Sequence, residues 1–353
     1  MLIPAHNEGV NLIPTLKSAG SQLSAGDRIL VVADNCTDDT ASIARSHGVE
    51  VVERSDPNCR GKGYALAFGR KALRNDPPDV VVVLDADCTL GPDALLRLST
   101  EAVATQRPAQ AAYRMVAPEQ AGPDRQVAAF AFLVKNVIRP SGLRRFGQSC
   151  LLTGTGMAFP WAVYRDANLA HGHIVEDLGL TVDLALAGHP PVFVPEADVR
   201  GEFPNDDAAA STQRRRWEHG HLSVIRAGVP RLIMAAIRRR SAGLVALALE
   251  VGLPPLSALV MVTFTMLILL LVWAAFGGPV GPALTLLAAF GLATIALFAV
   301  WWCFGRSILP TRTLARIPRY AVGKVGLYAD FFIRPQRTWN RTPRQEHKPS
   351  ETG

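Results

Sequence analysis

The chain has 353 residues and a net charge of +7, long enough for one large domain or two modest ones. No basic stripe interleaves with aromatic residues in its globular part, which argues against a nucleic-acid partner. The five cysteines are scattered without paired spacing, which argues against a disulfide framework or a cysteine zinc site and for reduced thiols.

The chain opens on "MLIPAHNE", which already reads as the end of a first strand. The expectation is a start further upstream, or an N-terminal membrane segment that this sequence omits. No cleavable signal peptide is visible. "RILVVAD" (28–34) is a β-branched run that stops at an acid. "DDTASIARSHG" reads as a helix capped by Asp38 or Asp39 and ended by Gly48. "VEVVER" (49–54) is a strand, "KGYALAFGRKAL" a helix, and "DVVVVLDAD" a strand apolar on both faces. Strands alternating with helices predict an α/β domain, a sheet covered on both faces with parallel pairing. Ligands of such sheets lie at the carboxyl ends of the strands. The polar residues ending successive strands, His6, Asn7 and Glu8, then Asp34 and Asn35, then Asp85 and Asp87, are therefore predicted to converge on one crevice.

Neither a dinucleotide fingerprint nor a phosphate-binding Walker loop is present, since "GKGYAL" lacks a third glycine and follows a loop. Two aspartates one residue apart at a strand end suit a divalent cation instead. Carboxylates, water and phosphate oxygens favour Mg2+ or Mn2+. Further along, "GHIVEDLGLTVDL" puts Glu176 and Asp177 at the start of a helix, where adjacent positions do not share a face. His171 and His173 read as a solvated loop, because no third ligand at zinc spacing follows. "STQRRRWEHG" spaces Gln213, Arg216 and Trp217 at i, i+3 and i+4, one helix face. His219 and His221 read as interfacial.

From Gly243 to Gly305 the sequence is nearly uncharged. Pro255 to Phe276 and Ala283 to Phe304 are each long enough for a bilayer core, which needs roughly 20 residues, and "GGPVGP" joins them as a tight hairpin. "LVALALE" (244–250) reads either as an interfacial helix or as an extension of the first span. Arg238, Arg239 and Arg240 precede the spans, and Arg306, Arg312, Arg316 and Arg319 follow; the connecting loop has no Lys or Arg. Basic flanks predict that both ends of the hairpin are cytoplasmic and face anionic lipid headgroups.

"IPAHNE", "ADNCTDDT", the Asp-x-Asp of "LDADC", the Glu-Asp pair and the Gln-x-x-Arg-Trp of "QRRRW" occur in this order from Met1 to Trp217. Together they resemble the inverting family 2 glycosyltransferases with the GT-A fold, which include the synthases of cellulose, chitin, hyaluronan and poly-N-acetylglucosamine. The resemblance implies a doubly wound, mixed and mostly parallel GT-A sheet over residues 1–240, followed by transmembrane helices. Within this plan, 212–240 would be interfacial helices, 241–305 the transmembrane hairpin and 306–353 a basic cytoplasmic tail. It implies an enzyme of the cell's inner (plasma) membrane, with its catalytic domain cytoplasmic, that moves a sugar from a UDP-sugar to a growing polysaccharide, glycan or lipid-linked acceptor. Membrane lipids are its further partners; no protein partner is indicated.

By the same resemblance Pro4, Ala5, Asn7 and Glu8 would line the uridine. The second acidic motif departs from the family's two aspartates: Ala33 stands at the first and Asp34 at the second, which leaves Asp34 to contact the base. Lys62 would lie near the nucleotide. Asp85 and Asp87 would hold nucleotide and metal, Asp87 as the direct ligand. Asp177 would be the general base with Glu176 beside it. Arg216 would contact the diphosphate, while Gln213, Trp217, Gly154 and Thr155 would face the acceptor. Arg214 and Arg215 would point elsewhere, toward lipid headgroups. Two other readings stand beside this one: transfer of a single sugar to a membrane lipid, as in ceramide glucosyltransferase-like enzymes, and a degenerate nucleotide-binding scaffold, for which Ala33 is the supporting feature.

Overall fold

The computed structural model describes residues 1–118, 121–170, 175–204 and 206–333. Eight strands form one sheet: β1 (Leu2–Ala5), β2 (Leu30–Asp34), β3 (Glu50–Arg54), β4 (Val80–Val83), β5 (Cys88–Leu90), β6 (Ala109–Val116), β7 (Met157–Pro160) and β8 (Val192–Glu202). Their order is β3-β2-β1-β4-β7-β6-β8-β5. β3, β2, β1 and β4 are parallel, β7 runs against both β4 and β6, β6 and β8 are parallel, and β5 runs against β8.

The alternation of side chains along the strands explains why the runs are apolar throughout. Ile3, Val31 and Val82 pack with Leu12, Leu16, Leu95 and Leu98 on one face. Leu2, Leu30, Val32, Val81 and Val83 pack with Leu66, Phe159 and Tyr164 on the other. Each such buried side chain stabilises the fold by about 1.5–3 kcal/mol.

Strand order reverses between β1 and β4, so the connections leaving them diverge and a crevice opens at their carboxyl ends. β1 pairs with β4 through Leu2 and Val83, and the Leu84 N–H donates to the Leu2 carbonyl at 3.1 Å. Pro4, which has no N–H to offer a ladder, falls just beyond this last pairing.

The helix after β2, Thr40–Ser46, has Asp39 at its N-cap position, and the side chain of Asp38 holds its first residue. The Asp38 carboxylate accepts from the Thr40 N–H at 3.1 Å and the Thr40 hydroxyl at 2.7 Å. Thr40 Oγ1 in turn accepts from the N–H groups of Glu8 and Gly9, each at 2.9 Å, and so fixes the loop after β1.

A 33-residue helix, Asp207–Arg239, runs through Pro230 without ending there, so one helix stands where several interfacial ones were expected. The segment 244–250 belongs to a separate helix, Ala242–Gly252, capped by the Ser241 hydroxyl and cut from the first span at Leu253, Pro254 and Pro255. Its Leu247 and Val251 are buried with Leu232, Ala236, Leu178 and Val182, so it packs against the domain and does not extend the span.

Leu256–Ala275 and Gly281–Val300, with its continuation to Gly305, are long and apolar enough to cross a membrane. In their most apolar stretches only 11% and 6% of residues are buried, unlike core helices of a soluble protein. The foot of this hairpin docks on the domain: Trp301 is buried with Val127, Phe130, Val134 and Leu309. The Trp301 indole N–H donates to the Leu309 carbonyl at 2.8 Å. Gly305 lies so close to Phe130 that a Cβ there would stand 2.6 Å from the ring.

Candidate functional site

The strand ends do converge. Pro4, Ala5 and Glu8 after β1, Asp34 at the end of β2, and Asp85 and Asp87 after β4 line one cavity of about 1330 Å³. Asn7 does not line it. In the left-handed region (φ 52°), Asn7 accepts from the Thr37 N–H at 2.7 Å and donates to the Thr37 hydroxyl at 3.1 Å, so it joins the two strand ends from outside. Asp34 is buried, and one of its oxygens accepts from Arg54 at 2.6 Å and from the Asn35 amide at 3.0 Å. Arg54 also pairs with Asp56 at 3.1 Å, which ties β2 to the segment after β3.

The centre of the site is a lysine among carboxylates. Gly61, with φ 130°, turns the chain into the helix Lys62–Ala72 and delivers Lys62 to the crevice. The Lys62 ammonium donates to Asp85 Oδ1 and to the Gly154 carbonyl, the latter at 2.7 Å, and stands 3.9 Å from Glu176. Burial opposes its charge, but Asp85 and Glu176 outweigh that and hold its pKa above the ordinary lysine range. Gly154 has φ 88°, a conformation that suits glycine, and a Cβ there would lie 3.5 Å from both Asp177 Oδ2 and Lys62 Nζ.

Thr155 is fully buried and accepts from the Asp85 N–H at 2.9 Å. It positions Asp85 from behind and does not line the cavity, which does not fit the acceptor-facing role that the resemblance implied. Buried Gln110 pins the same loop, accepting from the Thr153 N–H at 2.9 Å and donating to the Thr155 carbonyl at 3.0 Å.

Glu176 and Asp177 open the helix Glu176–Leu186 and line the cavity. Burial pushes the Glu176 carboxyl up, with Lys62 pulling the other way. Burial also pushes Asp177 up, partly offset by the ammonium of Lys135. A carboxylate with a raised pKa is a stronger proton acceptor while it remains ionised.

Asp85, Asp87 and Cys88 bring one ligand atom each within 4.8 Å of one another. The two carboxylates suit a hard divalent cation. The Cys88 thiol does not: burial pushes its pKa well up, and its S–H points at Asp87 Oδ1 at 3.7 Å. Asp85 and Asp87 are therefore the oxygen donors that fit Mg2+ or Mn2+.

Gln213, Arg216 and Trp217 line the cavity from the 33-residue helix. The Trp217 ring lies 5.6 Å from Phe132, which makes edge contacts with Tyr113 at 5.3 Å and Phe203 at 6.2 Å. The neighbouring arginines have partners on the last helices: Arg214 lies over the Tyr320 ring at 5.4 Å, and the partly exposed Arg215 pairs with Asp330 at 3.3 Å. His219 and His221 are buried, not interfacial, and meet the carbonyls of Leu327 at 2.9 Å and Val251 at 3.2 Å.

Sequence reasoning missed Lys135, Phe132, Phe203, Arg139 and His221, all of which line the cavity. Lys135 stands in the π-helical turn Val134–Ile138, a local irregularity common at functional sites, but no motif announces it. His171 and His173 lie outside the described residues, as do residues 334–353 of the tail.

A family model described as glycosyltransferase-like family 2 matches residues 1–220. Uncharacterized glycosyltransferases of Mycobacterium tuberculosis and Mycobacterium bovis are 37% identical to the chain over 101 residues, 29% of this chain and 42% of theirs. The matched stretch thus spans less than half the length of those curated relatives. A mannosyltransferase from Pyrobaculum calidifontis, solved in complex with GDP-Man and Mn2+, superposes with a TM-score of 0.50 and 19% identity over 95% of this chain and 87% of its own. At that identity the likeness is one of fold, and the sheet is the mixed, mostly parallel GT-A arrangement that the resemblance implied.

Proposed function

The chain belongs to glycosyltransferase-like family 2 and is a glycosyltransferase; on that premise we propose that it transfers a sugar, with inversion, from a nucleoside diphosphate carrier to a glycan or lipid-linked hydroxyl at the cytoplasmic face of the plasma membrane. The observation that carries this reading is the single cavity that joins Asp85, Asp87, Lys62, Asp177, Arg216 and Trp217.

Pro4, Ala5, Glu8 and Asp34 bind the nucleoside, UDP by the family resemblance. Asp87 and Asp85 hold Mg2+ or Mn2+, which when bound neutralises charge gathering on the departing diphosphate. The mannosyltransferase neighbour was solved in complex with both GDP-Man and Mn2+, which supports this assignment. Arg216 meets the diphosphate through its planar fork of donors. Asp177 takes the proton from the acceptor hydroxyl, and Glu176, bound electrostatically to Lys62, keeps that corner of the cleft in place. Gln213, Trp217 and Gly154 shape the acceptor side. The exposed apolar hairpin and its arginine flanks support anchoring in the membrane.

The test is a panel of labelled nucleotide sugars offered to membranes carrying the full chain, with Mg2+ or Mn2+ and with chelator. The proposal expects cation-dependent nucleotide release with one or a few donors and its loss in Asp177→Asn. Turnover undiminished in Asp177→Asn would remove the base assignment. Nucleotide binding without turnover of any donor would point to the scaffold reading.

A further inference from the structure

The cavity does not end at the sugar site. Beyond Trp217 it continues between the two spans, lined by Val260, Thr263, Ala289, Phe290, Ala293 and Leu297. On the domain side the same space is walled by Val127, Phe130 and Ala131, and by Ile317, Tyr320 and Ala321 of the helix after the hairpin. Its volume, about 1330 Å³, exceeds the roughly 300–1000 Å³ of an ordinary small-molecule site. Charge is confined to one end. The wall formed by the spans carries none, while Lys135, Arg139, Arg216 and Lys324 line the rest of the same cavity.

Most of these cations are already satisfied. Arg139 pairs with Glu250 at 2.8 Å and Lys324 with Glu218 at 2.5 Å. Lys135 makes no ion pair or hydrogen bond with the described residues, although it lines the cavity. The Asp177 carboxylate acts on this ammonium electrostatically without touching it, so an anionic ligand in the cavity can make the direct ion pair that no described residue makes.

Resting on the glycosyltransferase reading above, we propose that the acceptor is a lipid, whose hydrocarbon chain lies in the apolar groove between the spans and whose phosphate-bearing headgroup meets Lys135 and presents a hydroxyl to Asp177. In the transfer, the headgroup oxygen forms a bond to the anomeric carbon. The bond from that carbon to the diphosphate oxygen breaks, and its electron pair leaves with the nucleoside diphosphate. The hydroxyl proton passes to Asp177. The small side chains Ala289, Ala293 and Thr263 leave the groove open, and a large side chain there closes it.

The experiment uses the full chain in phosphatidylcholine vesicles with labelled nucleotide sugars. Separate arms add phosphatidylglycerol or phosphatidylinositol (phosphate, hydroxyl and chains), diacylglycerol (hydroxyl and chains, no charge), glycerol 3-phosphate (the charged head without chains) and a soluble oligosaccharide. The expected result is label in organic-soluble product from the phospholipid arms, well above diacylglycerol, with none in glycerol 3-phosphate. Ala293→Trp is expected to lower kcat/KM for the lipid tenfold or more with nucleotide-sugar binding unchanged, which also reports that the variant folds. Lys135→Met is expected to raise the KM for phospholipid acceptor more than that for diacylglycerol.

Label found only in glycerol phosphate or in water-soluble polymer overturns the proposal, and so does lipid transfer that Ala293→Trp leaves intact. Transfer to no acceptor while nucleotide sugar still binds overturns it too. Diacylglycerol outpacing the phospholipids removes the headgroup assignment. Failure to bind nucleotide sugar at all would strike the parent reading instead, and the lipid comparison on the unaltered protein stands without any variant.

Discussion

The two ends of the cavity are built by different means. At the carboxylate end, three strand ends, one helix start and two glycine turns bring carboxylates around Lys62, and polar contacts to the backbone hold each in place: Thr155 on Asp85, Gly154 on Lys62, Thr40 on Glu8. At the membrane end there is little polar scaffolding. The hairpin docks through Trp301, Gly305 and Phe130, and one buried ion pair, Lys324 with Glu218, ties the last helices to the long one. One end is set by backbone geometry, which tolerates no displacement of its charges. The other is set by shape, which tolerates exchange of apolar groups of similar volume.

This contrast can be broken at either end, and the largest effects belong to the first. Asp177→Asn preserves size and removes the proposed base, so turnover is expected to fall by about 10²–10⁴ while nucleotide-sugar binding persists. A coupled measurement of nucleotide release and equilibrium binding separates the two. A chelator is expected to stop turnover and Mn2+ to restore it, and turnover indifferent to chelator would show that Asp85 and Asp87 hold no cation.

At the other end, Lys324→Met strands a buried carboxylate. The expected loss is about 3–5 kcal/mol of stability, read as a lower Tm of the detergent-solubilised chain. Gly305→Leu overpacks the contact with Phe130 and is expected to cost about 1–3 kcal/mol, with lipid transfer impaired before nucleotide binding. An equal loss of both would mean that the hairpin and the strand ends are one cooperative unit.

Acid sharpens the comparison further. Burial, helped by the Lys135 ammonium, lowers the His221 pKa from 6.5 to about 3. Its neutral form is the native one, so its contribution is fully present above pH 6.5 and is lost as pH falls toward 3, because the unfolded chain then takes up a proton that the folded chain refuses. His221→Gln is expected to flatten the stability profile in that window, and an unchanged profile would place the acid sensitivity elsewhere. The smallest effect is expected from Arg215→Ala. Its pair with Asp330 is partly exposed and worth at most about 1 kcal/mol.

How far the sequence was legible follows the same divide. β-branched runs ending in acids announced the strand ends, because a strand buried on both faces has no other reason to finish on Asp34 or Asp85. Lys62 was placed by the family resemblance alone, since a lysine between two glycines reads locally as a plain basic turn. Thr155 was not read correctly, since nothing in "GTG" tells whether a hydroxyl turns to a ligand or to the backbone of Asp85 behind it. Arg214, Arg215, His219 and His221 looked like a membrane-facing set because they are polar and close to apolar spans. Their partners, Tyr320, Asp330, Leu327 and Val251, come from helices whose docking no local pattern encodes. The groove between the spans was invisible for the same reason: apolarity gives the length of a span but not the side on which its alanines face a partner.

Lys62 has one more consequence. Four carboxylates, Asp85, Asp87, Glu176 and Asp177, crowd the cleft, and their mutual repulsion would spread it open were no positive charge among them. The chain supplies that charge itself, tethered and permanent. The cleft therefore carries a fixed counter-charge against its carboxylates, independent of any ligand.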